Sequence, residues 1–215
     1  MNPARLAVTV VLLCQSCALF SKGDVPVRRF YDPMTAELSA PPGSPVRSNA
    51  ELRLGRVTSG ESIDERVIFR KSPNEIGFYD DRAWTERPEV YLRRELSRAL
   101  FEDRGLRASE HAGGPTLEVE LVGFEEVKAP SHVGRVTIAM QLSDAKGLAL
   151  QQTISVDKPV AQTASQKEGG AVAQAMGEAL HAAVEEVAGR VLADLDRQHT
   201  AGLAGCPENA VQGAR

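Results

Sequence analysis

Two neighbouring stretches of the chain alternate between apolar and polar residues, and this period of two constrains the fold more than any other feature. Apolar side chains occupy every second position over 117–121 and over 136–142, with Glu, Thr, Ala or Gln between them. Such alternation is typical of β-strands that bury one face. The Asp-Ala-Lys-Gly segment 144–147 predicts a tight turn into further alternation over 148–156. We therefore predict an antiparallel hairpin in a sheet with one face exposed to solvent.

Three further strands are predicted earlier in the chain. The segment 51–57 alternates but changes parity after Gly55, which indicates a strand with a bulge. The segments 65–70 and 75–80 flank a Ser-Pro-Asn turn, so they predict a second hairpin.

Two helices interrupt the strands. The first is predicted to begin at Pro88, to carry Leu at every fourth position and to end at Gly105. The second carries an apolar stripe whose default role is packing on the sheet, with a partner-binding face as the alternative. That stripe comprises Val172, Met176, Leu180, Val184, Val187, Val191 and Leu195. The predicted fold class is α+β, an α/β arrangement of a mixed, largely antiparallel sheet with two principal amphipathic helices packed on it.

Composition excludes several classes of protein. The formal net charge of -4 and the isoelectric point near 5.7 give no cationic footprint, so we predict no nucleic-acid partner. No run of 18 apolar residues occurs, so no membrane-spanning helix is predicted. Three cysteines are too few for a disulfide-rich scaffold.

Catalytic patterns are missing from the sequence. The four histidines fall in separate segments without a second His or Cys at metal-ligand spacing, so we predict no metal and no cofactor. The nucleophile elbow, the P-loop and the dinucleotide-binding turn are all absent, and no catalytic residue is proposed. The adjacent carboxylates Glu125 and Glu126 are expected to point apart as solvated charges.

The N-terminus predicts export. Residues 1–16 combine Arg5, an apolar run too short to span a membrane and a small-polar exit, which is typical of a signal peptide. The sequence around Cys17 resembles a bacterial lipoprotein cleavage site, in which the cysteine is acylated and becomes the mature N-terminus. Ser16 supplies the small preceding residue, whereas Leu13 makes Cys14 a poor candidate. Ala18 in this resemblance favours the outer membrane. The alternative is a plain signal peptide with a free thiol at Cys17.

The mature chain is divided into three predicted parts: a tether over 17–29, a folded domain over 30–197 and a disordered tail over 198–215 that holds Cys206. Loss of Arg5 with the signal leaves 24 basic and 29 acidic side chains. A chain of this charge gains nothing from anionic head groups, so membrane attachment is expected to depend on the lipid at Cys17.

The segment from Tyr79 through Arg82 to Trp84, followed by the helix at Pro88, carries the most specific resemblance. With the lipoprotein signal and the order of strands and helices, it resembles the auxiliary lipoprotein component of bacterial ABC-type transport systems, the family of paraquat-inducible protein C. This resemblance implies a non-enzymatic, lipid-anchored protein on the periplasmic face of the outer membrane. It also implies partners: an MCE-domain protein, a permease and an ATPase that move lipid between the membranes.

Two roles are open for Tyr79, Arg82 and Trp84. In the structural role, Trp84 caps the core and Arg82 pairs with a carboxylate; in the other role, the three form a contact site. Two alternative functions also remain open at this point. The chain could itself bind a hydrophobic ligand, or it could be a structural lipoprotein that forms homo-oligomers.

Overall fold

The computed structural model describes residues 27–34, 50–111, 113–161 and 168–204, the last four of these by backbone alone. These residues form an α+β domain with a mixed, mostly antiparallel sheet of eight strands and two helices packed on it, which confirms the predicted fold class. The elements are β1 Arg29–Tyr31, β2 Glu51–Ser59, β3 Arg66–Ser72, β4 Glu75–Trp84, α1 Pro88–Ser97, β5 Arg107–Ala108, β6 Thr116–Val127, β7 Val133–Asp144, β8 Gly147–Pro159 and α2 Glu168–Ala204.

Both predicted hairpins are confirmed. β3 pairs with β4 and β7 pairs with β8, each antiparallel. The β2 register shifts between Leu54 and Val57, as the change of parity predicts. At the second turn Gly147 has a φ of 122°, which a side chain would oppose.

β6 is the centre of the sheet. One of its edges pairs with β7 along the whole strand, while the other is shared by two parallel neighbours. β2 pairs over the 116–121 part of β6, and β3 pairs over 125–127. The sheet therefore divides, with β5 beyond β2 and with β4 and β1 beyond β3.

α1 and α2 cover one face of the sheet. All seven residues of the predicted apolar stripe on α2 are buried, which confirms that the stripe packs in the core. Gly134 of β7 lies so close to α2 that a Cβ there would come within 2.9 Å of the Met176 backbone nitrogen. The opposite face, called the open face below, carries polar residues such as Thr137 and Gln141.

The helix boundaries differ from prediction in two places. The first helix changes to a π-helical turn over Arg98–Asp103 before Gly105, at a φ of 64°, ends it. The second helix includes 198–204, which the sequence predicts to be part of a disordered tail. Gln198 there donates to the Asp194 carboxylate at 2.8 Å, within one helical turn. Residues 205–215 and Cys206 lie outside the described residues.

Candidate functional site

The residues of the predicted motif lie on a bulge in β4. Arg66 of β3 pairs with Ala83, and Ile68 pairs with Phe78, so four β4 residues, 79–82, lie opposite one β3 residue. A bulge of this kind breaks the alternation of side chains. Because of it, Tyr79 and Arg82 lie on the same side although their spacing in a regular strand would separate them.

Tyr79 is hydrogen-bonded to Glu126 and through Glu126 to His132, and neither of these was predicted from the sequence to be a site residue. Its hydroxyl donates to the Glu126 carboxylate at 2.7 Å, and the other oxygen of Glu126 lies 2.6 Å from the His132 Nε2. Glu126 is fully buried, so these two partners satisfy a charge that water cannot reach. Burial and the hydrogen bond to Glu126 raise the pKa of Tyr79 well above its ordinary value.

Arg82 stacks on Tyr79. Its guanidinium carbon is 3.9 Å from the centre of the Tyr79 ring, and its Nη2 is 3.5 Å from the carboxylate of Glu168, the first residue of α2. The Arg82 Nη1 atom is buried and has no hydrogen-bond acceptor among the described residues. Lys128 lies beside the same ring, with Nζ 5.0 Å from its centre. Tyr79 is therefore held between two cations and one buried carboxylate.

Trp84 lies apart from this cluster. It is 2% exposed and packs edge-on against Phe124 of β6, with 5.1 Å between the ring centres. Its position belongs to the hydrophobic core, while Tyr79 and Arg82 lie between the sheet and the start of α2. Cys17, the predicted lipidation site, lies outside the described residues.

The prediction that Glu125 and Glu126 are solvated charges was wrong. The two side chains do point apart, but both are buried and paired. Glu125 accepts from the Arg70 Nε at 2.8 Å, and Glu126 accepts from Tyr79. Their burial comes from the parallel pairing of β3 with β6, which places Phe69 beside Glu126. No local pattern in the sequence signals that pairing.

A groove of about 500 Å³ crosses the open face of the sheet. Its floor is a row of small residues paired across three strands: Gly123 faces Thr137, and Thr137 faces Ser155 at 2.9 Å between hydroxyl oxygens. Its apolar wall includes Ile76 and Val122, which are 45% and 50% exposed. Two large apolar side chains thus face solvent within one groove.

Ion pairs flank the groove. Arg70 pairs with Glu125 at 2.8 Å, and Arg135 pairs with Asp157 at 2.7 Å, so the charged rims are neutralised in pairs. The Arg135 guanidinium holds the pKa of Asp157 below its ordinary value despite partial burial. An uncharged, apolar occupant matches this groove better than an ion does.

Two features are absent from the described part of the chain. Within it, no three His, Cys, Asp or Glu side chains are grouped so that they could hold a metal ion. None of its helices is long and apolar enough to cross a membrane.

The fold and the open face define a class: a two-layer α+β domain whose helices cover a single face of the sheet. The sequence profile of the ABC-type transport auxiliary lipoprotein component matches residues 35–188, which is more than half of the chain. The chain therefore belongs to this family of auxiliary lipoproteins of ABC-type transport systems. A search of curated proteins found no match.

Solved structures share the fold. Protein XCC0632 from Xanthomonas campestris has a TM-score of 0.65 at 19% identity, and the alignment covers 80% of this chain and 99% of that one. An uncharacterized protein has a TM-score of 0.58 at 12% identity, covering 77% of this chain and 99% of that one. At these identities the likeness concerns the fold alone.

Proposed function

We propose that the chain is anchored by a lipid on Cys17 and assists an MCE-type ABC system that moves lipid between the inner and outer membranes. It acts by protein contact with the MCE-domain protein and with the permease and ATPase complex. Family membership supports association with an ABC-type transport system. The lipid anchor, the MCE-domain partner and the movement of lipid are the proposal.

The observation that carries the proposal is the uncovered face of the sheet. The helices leave one face open, and this face contains a groove with exposed Ile76 and Val122 and neutralised rims. Apolar surface grouped in one place on a small domain marks a contact site. Membership of a family of ABC-transport auxiliary lipoproteins supports a partner from such a transport system at this face.

The predicted tether is compatible with action close to a membrane. From Cys17 to Arg29, the first residue of β1, the chain extends at most roughly 40 Å. A diacylglyceryl group and an amide-linked acyl chain supply more than the two signals that stable attachment requires. Ala18 favours the outer membrane over the inner membrane as the site of the anchor.

Two measurements test this function. Radiolabelled fatty acid should enter the wild-type chain and Cys14→Ala but not Cys17→Ala; equal labelling of all three would end the anchoring proposal. Crosslinking in native membranes, followed by purification of the chain, should recover the MCE-domain protein of the same system. Recovery of unrelated proteins alone would contradict the proposed partnership, and recovery of crosslinked copies alone would favour a self-associating structural lipoprotein.

A second candidate function is binding of a hydrophobic ligand in the groove. Its volume lies within the range of small-molecule sites, and its neutralised rims suit an uncharged acyl chain. Native mass spectrometry of gently purified chain should detect a bound lipid, which Val122→Glu should remove. A chain that carries no lipid would rule this candidate out.

A further inference from the structure

The long outer edge of β8 is the feature of the described sheet that the proposed function has not used. β8 pairs with β7 along Gly147–Pro159 and with no other described strand. The other outer strands are short, with three residues in β1 and two in β5. β8 is a strand of 13 residues, and its part from 150 to 159 keeps one register with β7 and forms a continuous edge.

The phase of the β7–β8 ladder identifies which backbone groups face outward. The Val160 N–H donates to the His132 carbonyl at 3.0 Å, in the same register as the ladder. Antiparallel pairs alternate between bonded and non-bonded, so the even-numbered residues from Leu150 to Lys158 bond to β7 and the odd-numbered ones between them point outward. Among the described residues, the N–H and C=O groups of Gln151, Thr153, Ser155 and Asp157 are thus the ones without a backbone partner.

Two side-chain observations support this phase. Side chains approach more closely in non-bonded pairs, and Thr137–Ser155 and Arg135–Asp157 make hydrogen bonds of 2.9 and 2.7 Å. Pro159, which has no N–H, falls at an outward position, where proline is tolerated in an edge strand.

Beyond a register shift between Leu148 and Leu150, the described edge lacks the usual protection against strand pairing. Natural edge strands are blunted by charges, proline or bulges. The residues of β8 from 150 to 156 carry no charge, and the other protective features, Asp157, Lys158 and Pro159, stand together at the end of the strand. Leu148 at the start of the strand is 59% exposed. A free edge of this length and composition is suited to receive another strand.

We infer that the β8 edge binds an extended, uncharged segment of the MCE-type partner by strand addition, an inference that rests on the proposed function. Rows of free N–H and C=O groups are matched by extended backbone. The segment that binds is expected to be uncharged, because the receiving stretch of β8 offers no charge to pair with a charged side chain. Charge also disfavours a second copy, because pairing copies would bring together two acidic mature chains. Side chains of the added strand would alternate between half-buried Leu150 and Val156 on one face and Gln151 and Thr153 on the other.

Amide hydrogen exchange on the complex of the full lipidated chain with the MCE-domain protein tests the inference without any substitution. The amides of Gln151, Thr153 and Ser155 should exchange rapidly in the free chain and at least about 100-fold more slowly in the complex. The amides of Gln152 and Ile154 are the internal control, because their bonds to β7 protect them in both states.

A variant provides the second measurement. Thr153→Pro removes one outward N–H and leaves the hydrogen bonds to β7 intact, because position 153 faces outward like that of Pro159. Capture of the MCE-domain protein should therefore fall about tenfold or more. Thr153→Ala, which keeps the N–H, should bind like wild type, and thermal unfolding checks that both variants fold.

The outcomes separate the two proposals. The wild-type chain could capture the MCE-domain protein while its outward amides stay unprotected, or Thr153→Pro could capture it as well as wild type does. Either result would overturn the edge inference and leave the proposed function standing. No capture of the MCE-domain protein by wild type would overturn both. Protection that rises with protein concentration without a partner would assign the edge to a second copy and overturn the partner inference.

Discussion

Tyr79 of β4 donates a hydrogen bond to Glu126 of β6 across the intervening strand β3. Neighbouring strands lie about 4.8 Å apart, so the tyrosine reaches over one whole strand. Its ring packs on Phe69 of β3, with 4.8 Å between the ring centres. This contact joins three strands on the side of the sheet where α2 begins.

Tyr79→Phe should lower the free energy of unfolding by about 1–3 kcal/mol, because buried Glu126 loses one of its two donors. Urea unfolding measures the change. In a Glu126→Gln background the same substitution should cost less, since the acceptor is no longer charged. An equal cost in both backgrounds would mean that the Tyr79 hydroxyl acts independently of the carboxylate.

The stability difference between wild type and Tyr79→Phe should shrink as pH rises above 10.0, the ordinary tyrosine pKa. Burial and Glu126 raise the pKa of Tyr79 in the folded chain, so the unfolded chain loses its phenol proton first. The stabilisation by Tyr79 is therefore complete below pH 10.0 and is lost as pH rises toward the folded pKa. Urea unfolding of both chains on either side of pH 10.0 checks this, and a constant or growing difference would be inconsistent with it.

Gly134→Ala should destabilise the chain by about 1–3 kcal/mol through overpacking between β7 and α2. The new Cβ would meet backbone atoms, the Met176 nitrogen at 2.9 Å and the Ala175 carbonyl carbon at 3.0 Å, which cannot rotate away. Gly189→Ala on exposed α2 surface is the matched control, because nothing lies within 4 Å and alanine favours the helix by about 1 kcal/mol. Thermal unfolding should shift in opposite directions for the two variants; a shift in the same direction would show that α2 does not pack on Gly134 as described.

Arg98→Ala should cost about 3 kcal/mol because it strips the buried carboxylate of Glu95 of its closest cation. The Arg98 Nη2 lies 2.9 Å from Glu95, which is 6% exposed and has His181 as a more distant partner at 3.4 Å. Arg94→Ala, on the same helix, breaks an exposed pair with Glu86 and should cost less than about 1 kcal/mol. Equal losses in chemical denaturation would contradict this distinction between buried and exposed pairs.

Local patterns in the sequence predict most of the antiparallel part of the fold. Alternation over 136–142 and 148–156 depends only on neighbouring residues and the turn between them, so it identifies β7 and β8. The four-residue spacing from Val172 likewise identifies the buried stripe of α2. The parallel pairs of β6 with β2 and β3 join segments more than 50 residues apart, and no local periodicity encodes them.

The cluster around Tyr79 shows the same division. The resemblance of 79–84 to a family motif identifies Tyr79 and Arg82 as candidate site residues. The β4 bulge that brings them together has no periodic signal in the sequence. Glu126 and His132 enter only through the parallel pairing of β3 with β6 and through the β6–β7 connection. Trp84 was predicted in one of its two roles to cap the core. It packs on Phe124 there, as a buried aromatic residue at the end of a strand does.

A chain that supports lipid movement from a lipid anchor should be needed for the transfer of labelled phospholipid between the inner and outer membranes in cells. Cells that produce wild type or Cys14→Ala should transfer label at equal rates. Cells with equal amounts of Cys17→Ala should transfer it as slowly as cells without the chain, because an unanchored domain is not held near its partners. Transfer at the wild-type rate by cells with Cys17→Ala would show that the anchor is not needed, and transfer at that rate by cells lacking the chain would show that the chain does not support lipid movement.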